Sequence, residues 1–153
     1  MIGELNRNKN QKLVKTNMTQ EQFAEKLIRQ FPEKRAAFIE HVQYFDELLG
    51  HVFFAEEINE PLIELLTKNE DVVKIKRYCG FIEDMWFVGD ETVKNIVEVT
   101  ILEQLTDDAA LWQRFGGFIS KEFKDVINKE IIPRFRVWLE VALLYPGIHG
   151  EEL

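Results

Sequence analysis

Helix-start signals recur along this chain, each followed by apolar residues three and four apart, and that recurrence limits the fold more than any other feature. Thr19-Gln20-Glu21-Gln22 has capping-box spacing and precedes Phe23, Ala24, Leu27, Ile28 and Phe31. These residues predict a first helix from Thr19 to about Phe31, stopped by Pro32, which suits the first turn of a second helix. The second carries Ala37, Phe38, Val42, Phe45, Leu48 and Leu49 towards the core and is expected to end near Gly50, as a left-handed C-terminal cap. A short apolar connection, His51 to Ala55, then leads to a third helix around Pro61 to Leu66.

Asn69 caps the next pattern, in which Val72, Ile75, Cys79, Ile82 and Trp86, with Val73 and Met85, trace a long amphipathic helix ending near Gly89. Asp90 then opens a helix through Val93, Ile96, Val97, Ile101, Leu102 and Leu105. Within 96–102 the residues Val97, Val99 and Ile101 alternate with Glu98 and Thr100, which is also strand periodicity. A lone strand must pair its backbone groups, and no second strand with turn chemistry is present, so helix is the expectation. Thr106, Asp107 and Asp108 start a further helix with Leu111, Trp112, Phe115, Phe118 and Ile119, which Gly116-Gly117 either bends or divides. Ser120 caps a last run through Phe123, Val126, Ile127 and Ile131. Pro133 kinks or restarts it, and Phe135, Trp138, Leu139, Ala142 and Leu143 follow before Tyr145-Pro146-Gly147 ends it.

The expected fold is therefore all-α, about seven helices in an antiparallel bundle or a short stack of helical hairpins. No repeat period emerges. With 153 residues, 46% of them hydrophobic, the chain suffices for one domain, assigned to 18–147 between a basic N-terminal arm, 1–17, and a loose tail, 148–153. The arm lacks the apolar core of a signal peptide and is expected to stay on the chain. The most apolar segment, Phe135 to Tyr145, is interrupted by Arg136 and Glu140 and is too short to span a bilayer. A single cysteine, Cys79, rules out an intrachain disulfide framework and a multi-cysteine zinc site, and fits a reducing cytoplasm.

A net charge of -8 disfavours a nucleic-acid binder, because the bulk field repels phosphate. The excess is concentrated between residues 83 and 108, where Glu83, Asp84, Asp90, Glu91, Glu98, Glu103, Asp107 and Asp108 face the single base Lys94. Capping and a solvated helix face account for several of these carboxylates. The functional alternative is a recognition surface for a basic protein, made of Glu83, Asp84, Asp90, Glu91, Glu98 and Asp107. Their spacing matches no calcium loop and no two-helix carboxylate and histidine pattern, so neither metal nor cofactor is expected.

Catalytic chemistry finds no organised set. His41, His51 and His149 form no zincin-type pair, and Glu47 and His51 are separated by a predicted helix break. Cys79 lies on an apolar stripe and reads as a buried, inert thiol. Gly116-Gly117 lacks the context of a phosphate loop, and Trp86, Trp112 and Trp138 read as core anchors. An enzyme is not expected. A competing expectation is a small-molecule or regulatory module, with Phe53, Phe54 and Trp86 lining a pocket near the apolar run Val52 to Ala55.

The segment Phe81-Ile82-Glu83-Asp84-Met85-Trp86, then Gly89-Asp90-Glu91, Val93, Asn95-Ile96-Val97, Val99, Leu102-Glu103 and Leu105, resembles a family of small uncharacterised bacterial helical proteins. Some similar acidic proteins look like immunity partners of toxins. That resemblance implies a cytoplasmic protein that neutralises a basic toxin domain, and it transfers no catalytic residue.

Overall fold

Five of the seven helices begin where a side chain supplies a hydrogen bond that the first turn lacks. The computed structural model describes residues 17–144, leaving aside the side chains of Trp138 and Leu139; the basic arm, but for its last residue, and the 148–153 tail lie outside that range. Helix α1, Gln20–Gln30, opens on a complete capping box, with Gln22 N donating to Thr19 Oγ1 and Thr19 N to Gln22 Oε1. A 3-10 turn, Pro32–Lys34, leads into α2, Arg35–Phe45. Asp90 starts α5 (91–107), Asp108 starts α6 (Ala109–Gly116), and Ser120 starts α7 (121–144), each accepting from backbone N–H groups of its first turn. Between them lie α3 (50–68) and α4 (Val72–Val88). The fold is all-α, with seven helices and, among the described residues, no strand beyond a single bridge between Met18 and Gly89.

Three of these helices contain a π turn, in which the hydrogen bonds skip five residues instead of four. The turns occupy Ala55–Asn59 in α3, Val97–Leu102 in α5 and Ile127–Ile131 in α7. The stretch 96–102, ambiguous in periodicity, is therefore helical, with its surplus residue taken up by the wider turn. In α7 the π turn sits just before Pro133, which cannot donate to the preceding turn; the helix runs on to Leu144 without restarting.

Several boundaries differ from those expected. Gly50 does not end α2; Asp46 does, in the left-handed conformation at φ 64°. Gly50 instead opens α3, where a Cβ would stand 2.6 Å from Ile96 Cδ1, so the glycine serves a close helix approach. Residues 51–55 are no connection but the first turns of α3. Asn69 closes α3 at φ 56°, and Asp71 caps α4 by accepting from Lys74 N at 3.1 Å. Gly116-Gly117 divides rather than bends, ending α6.

The core lies where α3, α4 and α5 pack on one another, with α1 against α4 and α6 against α3. Phe31 stacks on Tyr78 at 4.6 Å and Phe23 meets Phe81 edge-on at 5.8 Å. Phe53, Phe54, Ile58, Leu62, Ile82, Ile96 and Leu102 are fully buried, each contributing about 1.5–3 kcal/mol by removal from water. Helix α2 contributes least. Its one buried residue is His41, whose Nε2 accepts from Leu49 N at 3.0 Å, while the expected core residue Phe45 is 37% exposed. Trp86 and Trp112 pack half-buried on the core rather than anchoring it, and the expected core residue Leu143 is exposed. Among the described residues no helix is long and apolar enough to cross a membrane.

Candidate functional site

The π turns of α3 and α5 lie against each other, and a polar side chain joins them. Asn59, the last residue of the α3 turn, is 1% exposed. Its Nδ2 donates to the backbone carbonyl of Thr100 at 2.9 Å and to Gln104 Oε1 at 2.7 Å. A carbonyl can only accept, so the bond to Thr100 fixes which end of the carboxamide faces α5. Both amide hydrogens are then used, and Asn59 Oδ1 is left buried without a hydrogen-bond partner among the described residues. Leaving such an oxygen unpaired costs about 1–3 kcal/mol. About two turns earlier on α3, His51 Nδ1 lies 2.5 Å from Thr100 Oγ1, and Asn95 Nδ2 is 3.5 Å from His51 Nε2.

In front of this contact is an open groove of about 410 Å³, lined by Ala55, Val99, Thr100, Glu103, Gln104 and Asp107. Glu103 and Asp107 stand four apart on α5, hence on one face, where like charges repel. They also occupy its last turn, where the helix dipole already presents negative charge. Among the described residues neither forms an ion pair. Capping does not explain them, because Asp108 performs that task for α6. Here negative charge accumulates against local preference.

The six carboxylates singled out from sequence are not brought together. Glu83 accepts from Ser120 N at 3.1 Å and from Ser120 Oγ, tying α4 to the start of α7. Asp84 pairs with Lys26 at 2.8 Å, and Glu98 accepts from Arg134 Nε at 2.6 Å and Nη2 at 3.2 Å. Asp90 caps α5 through Val93 N at 2.9 Å. Glu91 is exposed in the first turn of α5, about 24 Å along the helix from Asp107 at 1.5 Å per residue. Of the six, Asp107 alone lines the groove. Asn59, Thr100, Glu103 and Gln104 were not singled out; the Glu103 and Asp107 spacing beside a helix end was the signal that pointed to this place. The expected aromatic lining is corrected too, since Phe53 and Phe54 are buried in the core and Trp86 lies under Lys94 Nζ at 5.7 Å.

Cys79 is fully buried, and its thiol is pushed up to about 12, first by burial and then by the nearby Glu83 carboxylate. At pH 8 iodoacetamide is expected to leave the native thiol unmodified over hours and to label it at once in denaturant, read by intact mass. The thiol also makes stability pH-dependent. Its folded value lies above the ordinary 9.0, so its contribution is full below about pH 9 and is lost as pH rises towards 12. Unfolding free energy should fall by about 1.4 kcal/mol per pH unit in that window, and Cys79→Ala should flatten the slope.

Residues 24–134 match a family described as a domain of unknown function, DUF7674. No curated protein and no solved structure matches the chain.

Proposed function

This chain belongs to the DUF7674 family, domains of unknown function, and we propose that it is a binding module that receives a basic partner protein at the α3–α5 groove. The observation that carries this reading is the placement of Glu103 and Asp107, unpaired by any described cation, at the negative end of α5 and on the walls of a groove. Carboxylates so placed repel each other and the helix dipole until a cation arrives, so binding relieves a local cost as well as gaining contact. The surrounding field of a -8 chain steers a basic partner towards it, with an on-rate that falls as salt rises. In the cytoplasm of a bacterium, the partner class we favour is a toxin domain whose basic active surface would be occluded, which makes this an immunity protein.

The test is charge reversal measured against a partner recovered by affinity purification from the native cell. The double variant Glu103→Lys with Asp107→Lys is expected to weaken binding at least about tenfold and to flatten its salt dependence, while Glu91→Lys has little effect. Unchanged affinity and salt slope in the double variant would remove the groove from the interface. The groove volume also suits a small cationic metabolite. Stabilisation by such a compound in a thermal-shift screen, absent from the double variant, would favour that second reading.

A further inference from the structure

We propose that His41 is an acid-sensitive latch, which holds α2 against the start of α3 while its ring is neutral and releases it when the ring takes up a proton. The latch does not depend on what the groove binds. Its basis is the direction of one hydrogen bond. Leu49 N–H can only donate, so His41 Nε2, 3.0 Å away, must accept, and the ring held here is neutral with its one N–H at Nδ1. Both nitrogens of an imidazolium are donors. A proton on Nε2 therefore sets two donors against each other where His41 is only 6% exposed, and neither finds an acceptor while the corner stays shut.

What this bond holds is the helix that contributes least to the core. His41 is the one buried residue of α2, and its ring centroid lies 5.4 Å from that of Phe53 on α3 and 4.8 Å from that of Phe45 on its own helix. Leu49 immediately precedes α3, whose first turn receives no side-chain cap, so the same bond also fixes the entry into α3. Asp46, in the left-handed conformation, forms the turn between them. The chain just before α2 stays tied to α3 by Lys34 Nζ and Glu57 at 3.5 Å, and Phe38 stays edge-on to Phe53 at 5.5 Å. Opening is thus a swing of the C-terminal end of α2, which uncovers one side of the Phe53 ring. The charged and titratable groups around this corner are Glu40 on α2, Asp46 and Glu47 in the turn, and His51 on α3, all exposed; Gln20, which reaches Leu48 O from α1, is uncharged. Among the described residues none forms an ion pair with His41. The three carboxylates favour a charged ring, but Leu49 N donates to His41 and to none of them, so the proton is gained only by giving up that bond. Opening therefore grows as pH falls, because the open corner binds a proton that the closed one excludes.

The experiment follows amide hydrogen exchange in the full chain by NMR at about pH 7.5 and about pH 5.5, corrected for the intrinsic pH dependence of exchange, together with the ring ¹⁵N resonances of His41. Leu49 protection is expected to fall on the order of tenfold at the lower pH, in step with protonation of the ring, because a solvated imidazole takes its proton within this range. The amide of Ile82, fully buried in α4, should keep its protection, which separates a local swing from general unfolding. His41→Gln offers an uncharged acceptor in place of Nε2 and should hold Leu49 protection constant between the two conditions. If that variant fails to fold, the ring and amide signals of the unsubstituted protein decide alone. A charged His41 ring with Leu49 protection intact overturns the latch, as does a ring that stays neutral at the lower pH. Equal losses at Leu49 and Ile82, or an undiminished pH response in folded His41→Gln, overturn it as well.

Discussion

Phe81→Ala should lower the free energy of unfolding by about 3–5 kcal/mol, a large share of the 5–15 kcal/mol that holds a domain of this kind together. Phe81 is 1% exposed and meets Phe23 edge-on, so its removal opens a void at the seam between α1 and α4. The loss does not stop at the void. Lys26 Nζ lies 5.9 Å from the Phe81 ring and 5.7 Å from Phe23 while pairing with Asp84, so a partly buried charge loses one of its two aromatic faces. Urea unfolding followed by circular dichroism should show a lower midpoint with an unchanged slope. Phe87, 42% exposed and in edge contact with Phe123, is the control, and its replacement by alanine should cost no more than about 1 kcal/mol. A comparable effect at both positions would mean that the α1–α4 seam is not packed as described.

The second large effect is expected at Gly89, and it separates two glycines that look alike in sequence. A Cβ on Gly89 would stand 2.2 Å from the carbonyl oxygen of Met85 and 2.4 Å from Val93 Cγ1. The first is backbone at the end of α4 and the second a buried β-branched side chain, so neither yields without moving the α4–α5 corner. That corner is also stitched to the chain before α1, with Met18 N donating to Val88 O and Asp90 N to Met18 O, both at 2.9 Å. Gly89→Ala should therefore cost about 3 kcal/mol. At Gly50 the short contacts are to no backbone atom but to the ends of two side chains, the part-exposed Gln20 Oε1, which can swing aside, and the terminal methyl of buried Ile96, Cδ1. Alanine also improves helix propensity there by up to about 1 kcal/mol, so Gly50→Ala should cost well under half as much. Midpoints from chemical unfolding of the two variants check the order, and a reversed order would contradict the geometry at the corner.

The helix starts were legible because a capping residue acts on the backbone within three residues of itself. Thr19, Asp90, Asp108 and Ser120 were all read from sequence and all cap. Ends and interruptions were less legible where a residue type serves two purposes. Gly50 fits a left-handed cap and a close helix approach equally well, and only the neighbouring Ile96 decides between them. Asn69 fits a helix start, yet it closes α3 because Asp71 stands two residues later to take the start of α4. The π turns defeated the periodicity itself. A surplus residue at 55–59 shifts the phase of the apolar pattern, so α3 appeared as a connection followed by a shorter helix, and at 97–102 the same shift imitated a strand. The groove was the least legible part, for Asn59 acquires its meaning from a carbonyl 41 residues away on another helix. Of the acidic segment, sequence gave the charge but not its fate: Glu83, Asp84, Asp90 and Glu98 bind within the chain, and the carboxylates left over at Glu103 and Asp107 are set by which face of α5 turns to the groove.

The three π turns also determine where this chain can change length. Loss of one codon from an ordinary α-helix swings everything beyond it by about 100°, carrying core residues to the outside. Within 55–59, 97–102 or 127–131 the same deletion removes only the surplus that the wide turn was absorbing, and both flanks keep their facing. In this fold, tolerance of deletions therefore extends from the loops into the middle of three of its helices.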